Sequence, residues 1–124
     1  MLNNNHVTLA GRLTRPPEST QVGETTVVKF AVANNRRYRD NQGEWHDQVL
    51  FMDCEAWGHK GDQLLRDADK GSEVVLEGSL KQETWNGRDG RRNSRILLRV
   101  EKVGVAQTTV RPPPPFNETA SAPS

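Results

Sequence analysis

Hydrophobic and polar residues alternate along five segments of this chain, with the two-residue period of a half-buried β-strand. The segments cover residues 6–13, 25–34, 48–57, 72–82 and a last run from Ser94 to about Val105. Pro16 and Pro17 stop the first segment. The pattern therefore predicts five strands, each with one face directed at a core and the other at solvent.

The chain between the third and fourth segments follows a different pattern. Its apolar positions are Leu64, Leu65 and Ala68, with Asp62 near the start and Gly71 as a stop, which predicts one short helix. Five strands with a helix at this point are the order expected of the oligonucleotide-binding (OB) fold, a small barrel whose exposed sheet face and loops bind nucleic acid. The sequence thus predicts an all-β, five-stranded OB-fold barrel with one short helix between strands 3 and 4.

Two polar, arginine-rich segments connect predicted strands. Residues 35–47 contain Tyr38 among turn-forming residues, so we expect an exposed loop or hairpin tip there. Residues 86–92 read Asn-Gly-Arg-Asp-Gly-Arg-Arg, which favours a mobile, positively charged hairpin loop. The run from Pro112 to Pro115 predicts a disordered C-terminal tail. The expected division is a domain over residues 1–105 and a tail over residues 106–124.

The third segment sorts its residues into two unlike faces. The face predicted to be buried carries Leu50, Met52, Cys54 and Ala56. The opposite face carries Val49, Phe51, Asp53, Glu55 and Trp57. Since unpaired carboxylates are costly to bury, we expect the second face to be accessible to solvent.

Composition limits the class of protein without settling it. A length of 124 residues fits one domain, and a hydrophobic content of 33% allows only a modest core, so partner subunits are plausible. A net charge of +1 is too balanced to indicate a polyanionic ligand by itself. The single Cys54 excludes an intrachain disulfide. With no apolar run of membrane-span length and no signal peptide, we expect a soluble cytoplasmic protein.

Asp53 and Glu55 invite the hypothesis of a metal-dependent nuclease, because two carboxylates share one face of a strand. The sequence offers no third ligand, no positioned base and no phosphate-binding loop beside them. We therefore expect no catalytic residue, no metal site and no cofactor.

Aromatic residues make up only 6% of the chain, yet several lie in polar, basic surroundings instead of a core. Tyr38 is flanked by arginines, Trp57 lies shortly before Lys60, and Trp85 precedes the arginine-rich segment. Rings in such positions favour stacking on unpaired bases.

Four stretches resemble bacterial single-stranded DNA-binding proteins in order and spacing. They are Asn-His-Val-Thr-Leu-Ala-Gly-Arg-Leu-Thr-Arg at 5–15, Phe-Ala-Val-Ala at 30–33 followed by Tyr-Arg-Asp at 38–40, Asp-Cys-Glu-Ala-Trp-Gly at 53–58, and Lys-Gly-Ser-Glu-Val-Val-Leu-Glu-Gly at 70–78 with Trp85. The resemblance covers about residues 3–105.

The resemblance implies base stacking on Tyr38, Phe51, Trp57 and Trp85. For Phe51 and Trp57, a partly buried structural role is the alternative. The candidates for phosphate contacts are Arg12, Arg36, Arg39, Lys70, Lys81, Arg88, Arg91 and Arg92. Glu83 and His59 occupy positions that are often basic in the family, which implies a weaker or shifted electrostatic contact.

The resemblance further implies a nucleoid-associated homotetramer that binds and protects single-stranded DNA in replication, recombination and repair. The terminus Asn-Glu-Thr-Ala-Ser-Ala-Pro-Ser lacks the family's acidic tip, so recruitment of replication and repair proteins through the tail is not expected. Truncation and a specialised paralogue both explain that difference. Two alternative functions stay open: a dimeric, primosome-type replisome adaptor and an OB-fold protein-interaction module.

Overall fold

The computed structural model describes residues 2–106, and within that range it contains the five predicted strands, one additional strand and one helix. The elements in chain order are β1 Val7–Leu13, β2 Glu18–Val22, β3 Thr25–Arg39, β4 Trp45–Trp57, α1 His59–Asp67, β5 Glu73–Asn86 and β6 Arg92–Val105. In this part of the chain no helix combines the length and the apolar character needed to cross a membrane.

Strand pairing closes the sheet into a barrel. The sheet order is β1-β5-β6-β4-β3-β2, and an additional β1–β3 pairing at Arg12 and Leu13 joins the two ends. All pairings are antiparallel except that of β4 with β6, where Cys54 lies opposite Leu98. Five strands therefore form the closed barrel and β2 lies outside it on β3, which confirms the predicted OB-fold architecture with its helix after the third barrel strand.

The core lies inside the barrel and is capped at one end by α1. Phe30, Leu76 and Leu98 are almost fully buried there, and Leu64 of the helix packs against the same cluster. Burying a side chain of this size stabilises a fold by roughly 1.5–3 kcal/mol. Burial, with a smaller contribution from the neighbouring Asp53, raises the pKa of the Cys54 thiol to about 12. Cys54 is thus the small core residue that its place in the alternation predicts.

Strand β2 was absent from the predicted elements because its sequence carries no alternation. All five of its residues are exposed, from Glu18 to Val22. The strand forms by pairing with β3 through a turn at Gly23, whose backbone adopts a φ of 61°. That left-handed conformation suits glycine.

Both long hairpins extend beyond the barrel. Within the described residues, β3 beyond Ala33 pairs only with β4, and β5 beyond Gly78 pairs only with β6. We name these extensions the first arm, residues 34–50, and the second arm, residues 80–96. The predicted loop at 35–47 is mostly strand, because Tyr38 and Arg39 still pair with β4 and only residues 40–44 form the turn. The predicted hairpin loop at 86–92 is confirmed, with its turn at residues 87–91.

The domain boundary predicted near Val105 coincides with the end of β6. Ala106, which the sequence assigned to the tail, still donates its backbone N–H to the carbonyl of Glu73 at 2.9 Å. The predicted tail beyond this residue, 107–124, lies outside the described residues.

Gly78 provides a test of barrel closure. The β5–β6 register shifts between Glu77 and Gly78, and a Cβ at Gly78 would overlap the backbone carbonyl oxygen of Arg99. We expect Gly78→Ala to lower the free energy of unfolding by at least about 1–3 kcal/mol, because the backbone of β6 at Arg99 has to move to admit the methyl group. Urea denaturation measures this, with Gly104→Ala as the matched control, since a Cβ there meets nothing within 4 Å. Equal stability of the two variants would contradict the close approach.

Candidate nucleic-acid interface

One face of β4 runs unbroken from the helix to the tip of the first arm. The β3–β4 ladder pairs thirteen residues without a register shift, so side-chain alternation is preserved along its whole length. Alternate residues on the outer side are Trp45, Asp47, Val49, Phe51, Asp53, Glu55 and Trp57. Phe51 and Trp45 are 69% and 57% exposed, so two large rings face solvent on this side.

Glu55, in the middle of that face, is buried, and the prediction that it is accessible to solvent was wrong. Only 3% of the residue is exposed. Its Oε2 accepts hydrogen bonds from Lys81 Nζ at 3.2 Å and from Trp57 Nε1 at 3.1 Å. A buried carboxylate needs such partners, so the ammonium and the indole make the burial of Glu55 tolerable. Trp57 is half-buried, and the hydrogen bond from its ring nitrogen holds it against Glu55. This arrangement fits the partly buried structural role that was the alternative to base stacking for Trp57.

Lys81 belongs to a chain of ion pairs across β4, β5 and β6. Besides Glu55, its Nζ lies 3.7 Å from Glu83, which also accepts a hydrogen bond from Arg95 Nε at 3.2 Å. Arg95 Nη1 lies 3.6 Å from Asp53 Oδ2. Three carboxylates thus share two cations where the barrel meets the second arm. Lys81, a predicted phosphate contact, already has two carboxylate partners.

Trp85 lies at the end of this network, on the second arm. It follows Lys81 and Glu83 at alternate positions of β5, so the three side chains share one face. The ring is 48% exposed and lines an open groove of about 480 Å³ with Glu83, Thr84 and Arg95. Arg95 was not among the predicted site residues, because in the sequence it is only one polar position of an alternating strand.

Trp45 is the other residue that the sequence analysis missed. Arg37 and Arg39 lie over its ring, with their guanidinium carbons 5.0 Å and 5.8 Å from the centroid. Extending the alternation of the third strand backwards from Phe51 reaches Trp45, but the turn-forming residues at 35–47 predict a loop there and mask this signal.

Tyr38 lies on the opposite side of the first arm from Phe51. Its ring stacks on His46, its partner across the ladder, at 5.3 Å between centroids, and Arg36 lies 5.6 Å from the ring centre. His46 Nε2 is 2.6 Å from Asp40 Oδ2, and this hydrogen bond is the main reason that the pKa of Asp40 lies below its usual value. The structure therefore places Tyr38 in a solvent-facing cluster separate from the other predicted rings.

One potential ligand atom from each of three side chains, those of Asp40, Glu44 and His46, lies within 4.8 Å of the other two, as the ligands of a cation would. Asp40 already bonds His46 through one oxygen and the backbone N–H groups of Gln42 and Glu44 through the other. These contacts give the cluster a role in shaping the turn.

The remaining predicted cations divide into two groups. Arg12 lies opposite Glu73, with a hydrogen bond of 3.0 Å, and Lys70 lies in the turn before β5. Arg12, on β1, and Lys70 both lie near the Glu73 end of β5, and Trp85 is twelve residues further along that strand, so neither cation is brought together with the exposed rings. The second group lies on the arms near the rings and consists of Arg36, Arg39, Arg88, Arg91 and Arg92.

Comparison with solved structures identifies the fold. The chain resembles the structure titled Plasmodium falciparum SSB complex with ssDNA, with a TM-score of 0.78 and 19% identity over 86% of this chain and 98% of that one. It also resembles a deletion mutant of the single-stranded DNA binding protein from Thermus aquaticus, with a TM-score of 0.75 and 21% identity over 87% of this chain and 53% of that one.

Sequence relatives carry the same description. The chain is 32% identical over 101 residues to Single-stranded DNA-binding protein 2 of Chlorobaculum tepidum, a match that covers 80% of this chain and 68% of the relative. It is 37% identical over 101 residues to the single-stranded DNA-binding protein of Borreliella burgdorferi, covering 80% and 67%. The model of the Single-strand binding protein family matches residues 4–106. Because this family model covers most of the chain, the chain belongs to the single-strand binding protein family.

Proposed function

We propose that this protein binds single-stranded DNA with broad sequence tolerance and protects it during replication, recombination and repair. Bases stack on exposed aromatic rings, and arginines on the arms contact the phosphates. The protein acts as a binder without chemistry of its own and without a cofactor, in the cytoplasm on the nucleoid.

The observation that carries this proposal is the exposure of large rings on one continuous outer face. Trp45 and Phe51 on β4 and Trp85 on β5 lie on either side of the ion-pair network that joins these strands. Every base has a π-face, so stacking gives affinity with little dependence on sequence. Tyr38, on the other side of the first arm, offers a further ring for a strand that passes around the arm.

Arginines are concentrated on the same arms. Arg37 and Arg39 lie over Trp45, and Arg88, Arg91 and Arg92 lie in or beside the turn that follows Trp85. A single strand stacked on these rings would therefore bring its phosphates near guanidinium groups, which bind phosphate well. Arg12, Lys70 and Lys81 contribute less to this path, because of their positions and their carboxylate neighbours.

An oligomer, a homotetramer by family resemblance, fits the unpaired edge of β1. In residues 2–106 this strand pairs with β5 from Val7 to Arg12 but with β3 only at Arg12 and Leu13. The backbone groups left on its other edge can pair with the same strand of a second copy, which would remove an exposed edge and extend the sheet. Ala10 and the half-exposed Val75 add apolar surface on this side of the barrel.

Titration with single-stranded DNA, followed by intrinsic tryptophan fluorescence, tests the proposal. We expect quenching by oligo-dT that weakens as salt rises, because Trp45 and Trp85 are exposed and phosphate contacts release counterions. A duplex of the same length is the control. Absence of both quenching and binding at low salt would contradict single-stranded DNA binding and favour the protein-interaction alternative.

Replacing Trp85 by alanine tests stacking directly. We expect weaker binding of oligo-dT by about 1–3 kcal/mol, with unchanged thermal stability, since the ring is half-exposed. Leu80→Ala is the matched control, because that side chain is also partly exposed on the same strand but lies on the opposite face. An unchanged dissociation constant for Trp85→Ala would remove this residue from the site.

The arginines of the second turn should control the salt dependence. For Arg91→Gln/Arg92→Gln we expect the slope of log K against log salt to decrease in magnitude by up to about 1.4, since each phosphate contact on a single strand contributes about 0.7. The control variant Arg66→Gln/Lys102→Gln removes the same charge from α1 and from the Val105 end of β6. Equal slopes for the two variants would indicate that only net charge matters.

A further inference from the structure

The groove beside Trp85 combines an exposed ring with a paired acid and base. Glu83 lies two residues before Trp85 on the same face of β5, about 7 Å along the strand. Arg95 lies opposite Glu83 in the β5–β6 ladder, and its Nε donates to Glu83 Oε1 at 3.2 Å. Both side chains remain partly exposed, Glu83 by 33% and Arg95 by 42%, so a ligand stacked on Trp85 can reach them.

The ion-pair network that reaches this groove through Arg95 and Glu83 disfavours a phosphate beside Glu83. Asp53, Glu55 and Glu83 supply three negative charges, and Lys81 and Arg95 supply two positive ones, all within the same chain of ion pairs. A phosphate is an anion that only accepts hydrogen bonds, as a carboxylate does, so it would be repelled by Glu83. The edge of a nucleobase is uncharged and carries both donors and acceptors, which matches an adjacent carboxylate and guanidinium.

Among the bases, guanine matches this pair most completely. Its Watson–Crick edge presents the O6 acceptor next to the N1–H and N2–H donors. A carboxylate can accept both N–H groups at once, and a neighbouring guanidinium can donate to O6. Thymine offers one N–H between two carbonyl oxygens, which a carboxylate would repel. Unpaired bases on single strands expose this edge for recognition.

We propose that Glu83 and Arg95 form a base-edge subsite beside Trp85 that favours guanine over thymine. Arg95 orients Glu83 and contributes a donor, while Asp53 fixes the other end of Arg95. The subsite adds a bias at one position to binding that is otherwise tolerant of sequence. This inference rests on the proposed binding of single-stranded DNA.

Three oligonucleotides of equal length test the subsite: a thymidine homopolymer, an alternating thymidine–guanosine repeat and an alternating thymidine–inosine repeat. Inosine lacks only the 2-amino group of guanosine. We expect the wild-type protein to bind the guanosine repeat about fivefold more tightly than the inosine repeat, while the thymidine homopolymer measures binding without a purine at the subsite. Because base contacts release no counterions, the ratio should hold as salt is raised while all three affinities fall.

Glu83→Gln should bring the guanosine-to-inosine ratio close to one, because an amide offers only one acceptor oxygen. Glu77→Gln is the matched control: it removes the same charge from the same strand six residues earlier, where the side chain is 41% exposed and lies 3.7 Å from His6. This variant should keep the wild-type ratio. A changed ratio in Glu83→Gln alone supports the subsite.

Two results would overturn the inference while leaving the proposed function intact: equal wild-type affinity for the guanosine and inosine repeats, or a ratio that survives in Glu83→Gln. Failure of all three oligonucleotides to bind the wild-type protein would instead overturn the proposed function, and the subsite with it.

Discussion

The continuous register of the β3–β4 ladder decides which side chains of the first arm face outward. Because successive side chains of a strand alternate between faces, an unbroken ladder extends the division set in the core out to the arm tip. Phe30 and Cys54 define the inner side, and Phe51 and Trp45 then necessarily lie on the outer side. A one-residue bulge between positions 46 and 53 would have turned Trp45 to the side of Cys54, away from Asp53 and Trp57.

The ion-pair network where the barrel meets the second arm gives the outer surface its chemical character. Glu55 is buried by its neighbours and held by Lys81 and the Trp57 indole, so it restrains a ring and a cation that would otherwise move freely. Arg95 is restrained in the same way by Asp53 and Glu83. Preorganised side chains lose less entropy when a ligand binds. Lys81 and Arg95 each have two carboxylate partners, which makes them weaker phosphate ligands than Arg91, whose side chain is 85% exposed and has one carboxylate, Asp89, at 3.8 Å.

Prediction from sequence succeeded where burial enforces a pattern. The five barrel strands, the helix after β4 and the core position of Cys54 all follow from apolar residues that must face one side. Prediction failed where no burial enforces alternation. Strand β2 is wholly exposed, and in most of the first arm β3 and β4 pair with each other outside the core. There Leu50, assigned to the buried face, is 45% exposed, because the barrel no longer covers that side of β4.

Alternation and local composition are properties of the chain, and they were enough to predict the fold, the family resemblance and the exposed rings next to arginines. Which of those groups meet became known from the three-dimensional arrangement. Glu55 and Lys81 are 26 residues apart in sequence and share a hydrogen bond, whereas Tyr38 and Phe51 belong to one hairpin and face opposite ways. Such pairings depend on strand order and register across the closed barrel, which no local pattern of residues encodes.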